Sequence, residues 1–553
     1  MEPVTIPPNP IGQEVRYRTA RLAGALGLYG IMLSGARPGA PYRTVPDPWP
    51  GDPARGRAIA SGRYTFAGTT ISPTGSLWDQ QEAGTGWRIA AQGFEWLRDL
   101  EASGGDEAGE CAQRLTLEWL DCDLAGSKPA SDRIAWSAGT VGRRVRAWLY
   151  HWRLITDGLS GERTEALLDS LGRQIRHLTH YAGSDGIGAE RLLGIVGYVQ
   201  ACLMLPMFSP RTGAAIGLLE RELSYSILPD GCHATRSPRI QFEVMRDLVG
   251  LKELFQEMQR EIPIGLMTAI DRMAPVLRFF RHGDGGLALF HDSREGDSAE
   301  IDAVLGRADA RGRAPARCPH GGFEKLISGK LSVLADAGAP PGYPFDAHAH
   351  AAPLAIEVGY AAERLIVNCG AARLTEGDWA RAQRSTAAHS TLGVEDTNAD
   401  EIGKDGRIGR RRASTVVERN EADGAVWVEM SHDGYAKPFG LTHTRRLYLA
   451  PEGTDLRGED ALDGPEGHTF TIRFHLHPKV QVSLLSNNAS ALLKSPSGTG
   501  WRLRVSGAAM SLTDSVYLGG SQETKRTQQI LLTGVTGPEG VKVKWALQRE
   551  TKR

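Results

Sequence analysis

Paired cysteines are missing from this sequence. Its six cysteines, Cys111, Cys122, Cys202, Cys232, Cys318 and Cys369, form no C-x-x-C pair and are sparse for 553 residues. A disulfide scaffold and a cysteine zinc site are thereby set aside, which leaves reduced, buried thiols. An excess of charge of either sign is missing too. The formal net charge is −1, so no global field draws the chain to nucleic acid or to acidic membranes. A polyanionic ligand would have to be met by a local basic cleft. No apolar run is long enough to span a bilayer. The nearest approach, residues 22–33, follows Arg16, Arg18 and Arg21. A polar stretch precedes those arginines and no clear small-residue cleavage site follows. The segment therefore reads as the first buried helix of a cytoplasmic protein, with a periplasmic or secreted chain as the alternative.

What is present is the composition of a globular protein, 41% apolar and 23% charged. The length exceeds one ordinary core, so two domains are expected. The first half has helical periodicity. Phe94, Trp96, Leu97 and Leu100 fall largely on one face of a helix predicted over 91–100. Leu167, Leu168, Leu171, Ile175 and Leu178 repeat at helical spacing, with Asp169, Arg173 and Arg176 on the wet side. Phe242, Met245 and Val249 do the same, and a helix is read over 275–280. Such a series suits a helical bundle or an α/α toroid. The second half has period two. Phe470, Ile472, Phe474 and Leu476 alternate with polar residues, as do Trp501, Leu503 and Val505, and Val541, Val543, Trp545 and Leu547. The switch lies near the Arg-, Gly- and Pro-rich stretch 311–322. The predicted architecture is a helical domain over 1–310 followed by an antiparallel β-sandwich over 311–553.

Histidines cluster in the motifs. His348 and His350 stand at spacing two, which on a strand would put both rings on one face. His389 follows in Arg384-Ser385-Thr386-Ala387-Ala388-His389-Ser390-Thr391, and His233 follows Asp230-Gly231-Cys232. The loop Ser431-His432-Asp433-Gly434-Tyr435 adds a tyrosine. Taken in this order, these motifs resemble the heparinase II/III-like polysaccharide lyases, from about residue 90 onward. His443-Thr444-Arg445-Arg446 and Arg473-Phe474-His475-Leu476-His477-Pro478 add to the likeness.

The resemblance implies an incomplete α/α toroid joined to a β-sandwich, with the active site in the cleft between them. It also implies β-elimination on a uronic-acid-containing glycan, with no cofactor required. That reaction needs a group to neutralise the uronate carboxylate, a base for the weakly acidic C5 proton, and an acid for the departing oxygen. By resemblance His233 neutralises the carboxylate and His348 is the base. Tyr435 is a candidate additional acid/base or binding phenol. Relatives carry a toroid tyrosine where the stretch from Arg281 to Asp292 here offers Phe290 flanked by His282 and His291, so His282 and Tyr435 are the substitute acids. Asp230, Arg236 and Arg384 are candidate substrate ligands, since a guanidinium fork suits carboxylate or sulfate. Some relatives hold a structural zinc. The matching positions are His350, Asn368 and His389, with asparagine where an anionic ligand is preferred and Ala352 where many relatives have aspartate. Without zinc, His350 and His389 would hydrogen-bond across strands and hold His348 in place. The expected partner is an acidic polysaccharide or oligosaccharide. Two other readings compete: a non-catalytic glycan-binding protein on the same scaffold, and a glycoside hydrolase using Asp230 and Asp284 as acids.

Overall fold

The computed structural model describes residues 29–80, 82–125, 134–184, 188–372, 377–409, 412–485, 489–520 and 524–550. By packing, the chain divides into two compact units. One runs up to Ser226 and includes Arg246–Ile270; the other is Ile227–Met245 with everything from Asp271 onward. A short hairpin, Tyr64–Phe66 with Thr69–Ile71, lies among the helices, and the strands of the two large sheets begin at Arg317–Cys318. The packing boundary lies elsewhere, and it places His233, His282 and all the sandwich motifs in one unit.

The first unit is helical. Its long helices include Asp106–Ala125, Ala138–Tyr150, Gly161–Tyr181, Ala189–Met204 and Thr212–Ser226. In Gly161–Tyr181 the Ser160 side chain caps the first turn by accepting from the Arg163 N–H. Leu167, Leu171, Ile175 and Leu178 are fully buried, as their spacing requires. Ala138–Tyr150 meets Ala189–Met204 through glycines. A Cβ on Gly197 would stand 2.5 Å from the Gly142 Cα, so this close crossing tolerates no side chain there. The helix expected over 91–100 is two helices, Thr85–Gly93 and Leu97–Ser103. Phe94 adopts φ +59° between them and stacks on Trp78, with its edge or face toward Trp96, Trp119 and Trp148. Aromatic packing outweighs helix continuity, and all four expected apolar residues are still buried. Most of 22–33 lies outside the described residues. Of its end, Tyr29–Met32 is a single helical turn whose Ile31 and Met32 are exposed, while Leu33 is buried. Among the described residues no helix is long and apolar enough to cross a membrane. Five of the six cysteines are buried, Cys122 is exposed, and none is bonded to another.

The second unit pairs two antiparallel sheets. One has eight strands in the order Gln481–Leu484, Ser490–Lys494, Gly500–Ser506, Val541–Arg549, Asp455–Asp463, Thr442–Leu449, Ala425–His432, Thr415–Ala422. The other has nine and centres on Thr469–Leu476, Glu363–Val367, Ile356–Tyr360 and Leu331–Asp336. The inward residues of both, among them Val428, Leu447, Leu456, Ile472, Phe474, Trp501 and Trp545, make one apolar core. Burial of each such side chain stabilises the fold by ~1.5–3 kcal/mol. A charged network sits inside this core. The Asp460 carboxylate accepts from His443, Arg445 and Trp545 at 2.7–2.9 Å. Burial alone would raise its pKa, but Arg445 and His443 overcome that and hold it well below the usual carboxylate range. Arg445 also donates to the carbonyls of Leu354 and Ser390, both at 2.9 Å. It thereby ties together the two segments that follow His350 and His389.

Candidate functional site

His348 and His350 do not share a strand face. Asp346–His348 is a short 3-10 turn, and the chain leaves it extended. The His348 side chain is 28% exposed, whereas His350 is 1% exposed. The His348 Nδ1 stands 2.8 Å from the Asp292 Oδ2, so its N–H donates to that carboxylate and leaves Nε2 for other work. Arg239 donates to the same oxygen at 2.9 Å and to Glu243 at 2.8 Å. Burial would raise the Asp292 pKa, but Arg239 and the His348 hydrogen bond hold it far below the usual range. An ionised carboxylate behind a partly exposed imidazole orients the ring and fixes its tautomer, as a general base requires.

Asp292 was not legible in the sequence. It and His291 are consecutive residues with positive φ, +59° and +47°. Non-glycine residues hold that region only when their surroundings over-determine it. Here the Asp292 N–H donates to the His350 Nε2 at 3.0 Å, and the His350 N–H donates to the His291 Nδ1 at 3.2 Å.

These donors fix the proton positions on two more rings. Since the His350 Nε2 accepts from a peptide N–H, its proton is on Nδ1. That proton goes to the His389 Nε2, 2.9 Å away, and the His389 Nδ1–H goes to the Ser385 carbonyl at 2.7 Å. Burial pushes His389 down to about 4 and His350 well below its ordinary value. Both rings are neutral links that hold Asp292.

The expected zinc donors fit this arrangement poorly. Both nitrogens of His350 and of His389 are engaged in the chain just described. Asn368 turns elsewhere: its amide donates to the Glu357 Oε1 at 3.1 Å and its oxygen accepts from the Ser390 N–H at 2.9 Å. Among the described residues no group of three or more His, Cys, Asp or Glu side chains is placed to hold a metal. The alternative anticipated for the two histidines, a hydrogen bond between them that supports His348, matches the geometry.

His233 is fully buried. Its Nδ1 accepts from the Thr235 N–H at 3.2 Å and lies 2.8 Å from the Thr235 hydroxyl, so the ring proton is on Nε2. That N–H has no partner among the described residues. Burial, and then the nearby His348, push the imidazole down to about 3. The Phe345 ring packs edge-on to it with centroids 5.9 Å apart. Because the ring is wholly buried, a ligand reaches this donor only when its surroundings open. Arg384 lies close enough to Asp292, Arg239 and Arg407 for their charges to act on it, and burial lowers its pKa. It donates to the Gly406 carbonyl at 2.6 Å, and its Nε is buried without a partner.

The other expected site residues are placed differently. Tyr435 belongs to the apolar sandwich core and donates its hydroxyl to the Leu392 carbonyl at 3.0 Å, so it cannot serve as an acid or touch a sugar. Arg236 is spent on structure. It donates to the carbonyls of Gly321, Gly322, Gly338 and Ala339, pairs with Asp336, and lies over the Phe323 ring. Asp230 accepts from the backbone N–H groups of Cys232, His320 and Gly321 at 2.8–3.1 Å, which closes a turn and leaves little of the carboxylate for a ligand. His282 is buried 2.7 Å from Glu357, whose other oxygen takes the N–H groups of Leu289 and Asn368. No contact joins His282 to His233 or His348 among the described residues. Phe290 packs against Phe323. Asp284 is clamped by Arg364, which overcomes burial and brings it down to about 2. A carboxylate so held is no general acid near neutral pH, and neither it nor Asp230 is placed for glycoside hydrolysis.

The C-terminal heparinase II/III-like family model matches residues 310–546. The chain is 33% identical over 527 residues to FtsZ-localized protein C of Caulobacter vibrioides, covering 91% of this chain and 89% of that protein. Its fold is similar to that of heparinase III, with a TM-score of 0.75 and 13% identity over 99% of this chain and 93% of that one. It is also similar to the heparan sulfate lyase of Pedobacter heparinus, with a TM-score of 0.61 and 14% identity over 97% and 91%. At such identities the solved structures speak for the fold alone: a helical region followed by antiparallel sheets. With the motif order, the matched sandwich and the relative of nearly equal length, the chain belongs to the heparinase II/III-like family.

Proposed function

We propose that this protein is a lyase that cleaves an acidic, uronate-containing glycan by β-elimination. The observation that supports this reading is the pairing of His348 with Asp292, beside a buried His233 N–H that has no partner among the described residues. A buried donor left unsatisfied costs about 1–3 kcal/mol, and a uronate carboxylate would satisfy it. In this scheme the His233 N–H, exposed when its surroundings open, binds the carboxylate and favours the enolate-like charge that develops there. The His348 Nε2 takes the C5 proton. The electron pair forms the C4–C5 double bond, and the C4–O bond breaks. No tyrosine substitutes for Phe290, so the protonated His348 is the acid that returns a proton to the departing oxygen. Arg384 is the cation placed to hold an anionic group on the neighbouring sugar.

A second reading has its own support. By resemblance Phe290 stands where relatives place a tyrosine, and His233 is wholly buried. A relative of nearly equal length is named for localization with FtsZ. On this reading the chain is a glycan-binding protein of the division site that does no chemistry. One experiment separates the two. Purified protein is incubated with heparan sulfate, hyaluronan and alginate, and the absorbance of unsaturated uronate is followed, with His348→Ala as control. Turnover that falls about 10²-fold or more in the variant supports the lyase. A flat trace on every glycan, together with saturable binding, overturns it in favour of the binder.

A further inference from the structure

The outer face of the eight-stranded sheet carries a feature unrelated to the histidine site. Outward positions on such a face are expected to be polar, yet Trp427 and Tyr448 lie there side by side on paired strands, both half-buried. Strand register extends their row across the sheet: Trp427 opposite Tyr448, Tyr448 opposite Arg457, Arg457 opposite Ala546, and Ala546 opposite Arg504. At about 4.8 Å between strands the row is about 19 Å long. The next row is a charge ladder, Glu418, Glu429, Arg446, Glu459 and Lys544. The small side chain of Ala546 between Arg457 and Arg504 leaves a hollow of about 400 Å³.

The charges along these rows are unevenly paired. Arg446 is held by Glu429 at 2.5 Å and Glu459 at 2.7 Å. Arg457 pairs with Asp455 at 2.8 Å and lies 5.8 Å from the Tyr448 ring centre. Lys544 shares Glu459 at 3.8 Å, and Arg504 reaches only an amide oxygen, that of Gln548, at 3.0 Å. Four cations thus pair unevenly with their carboxylates: Glu418 continues the ladder beyond Glu429 at the aromatic end, and Arg504, at the other end, is the cation with no carboxylate partner among the described residues.

We propose that this row is a second glycan-binding surface, which takes the acidic sugar chain on which the reading above rests and holds it away from His348. The five strands are interior to their sheet, so every backbone group is already paired. A peptide cannot dock here by adding a strand. Recognition falls to side chains. The Trp427 and Tyr448 rings offer an apolar platform to the face of a pyranose, and Arg504 and Lys544 take its carboxylate or sulfate. The carboxylates of Glu429 and Glu459 accept from sugar hydroxyls, and they repel a chain with a phosphate at every step.

The test is isothermal titration of full-length protein carrying His348→Ala, so that no substrate is consumed, with heparan sulfate, hyaluronan and alginate oligosaccharides. The expected result is saturable binding to at least one of them, weakened tenfold or more by Arg504→Glu and by Trp427→Ala. Both side chains face outward, so the thermal midpoint should stay unchanged. If either variant misfolds, Lys544→Glu is the substitute and should weaken binding as well. Absence of binding, affinity indifferent to these substitutions, or displacement of the glycan by polyglutamate at equal charge would each overturn the proposal. Its failure is distinct from that of the lyase reading, which is judged by the unsaturated product. Trp427→Ala and Arg504→Glu in the otherwise native chain should leave turnover of short oligosaccharides unchanged.

Discussion

Moderate acid should unfold the strand-rich unit well before its carboxylates protonate. Burial pushes His233 and His475 down to about 3 and His389 down to about 4, against an ordinary 6.5. Near pH 5 the unfolded chain has bound a proton at each of these rings and the folded chain has not. Folding stability therefore falls as pH falls from about 6.5, and the loss levels off only below the folded pKa values. At pH 5 each ring contributes about 2 kcal/mol of that loss, so the three together cost about 6 kcal/mol. His282, His291, His350, His432 and His443 are shifted the same way and add to it. Depressed carboxylates such as Asp292 work in a different window, since their stabilisation is lost only below about pH 4. His151, in the helical unit, is shifted up by Asp47 and Glu101 against its burial and gains stability over the same acid range. In that helical unit burial also pushes His177 down to about 3 and lowers His180, so part of the loss falls there, and the larger share belongs to the second unit. Against a total of about 5–15 kcal/mol it is large. Guanidinium unfolding followed by tryptophan fluorescence between about pH 7.5 and pH 5 measures it. His475→Gln should remove one proton from the slope whatever it does to absolute stability. An unfolding midpoint that does not move with pH, or an unchanged slope in that variant, would refute the reasoning.

Asp292→Asn should lower turnover about 10²-fold or more while leaving the fold intact, because an amide can donate to the His348 Nδ1 and force the proton onto Nε2, the atom that must be bare; steady-state kinetics beside a thermal melt checks this. Arg236→Ala should destabilise the protein by about 3–5 kcal/mol in chemical denaturation, since it strands the buried Asp336 carboxylate and four carbonyls. Extensive dialysis against a chelator should leave the thermal midpoint unchanged, because the rings of His350 and His389 already satisfy each other; a drop that added zinc restores would contradict that pairing.

Periodicity made the architecture legible. A helical half and an alternating half follow from residues such as Leu167, Leu171 and Ile175 or Phe470, Ile472 and Phe474, because burial of one face imposes its own repeat. The histidines His233, His348, His350 and His389 were legible as a set through their motif order. Their environments were not, since those depend on partners distant in sequence. Asp292 lies 56 residues from His348, and its backbone conformation is one that sequence rarely betrays. Spacing two suggested a shared face for His348 and His350, but a 3-10 turn and tertiary hydrogen bonds override the strand geometry. Tyr435 misled for a related reason: His-Asp-Gly-Tyr has the chemistry of an exposed turn, yet its phenol can satisfy itself on a single carbonyl and join the core. Arg236 and Asp230 looked available because a sequence does not show which backbone groups a charged side chain must satisfy.

The chain from Ser385 through His389 and His350 to Asp292 has a direction. Every hydrogen in it points the same way, from the Asp292 peptide nitrogen outward to the Ser385 carbonyl. A proton wire works by handing a charge from link to link, and this one starts at a peptide N–H that gives up no proton. It is closed at its source. A proton captured by His348 therefore has no inward path through these rings. On the lyase reading it leaves by the side on which it arrived, to the bound molecule or to solvent, and the rings of His350 and His389 stay neutral.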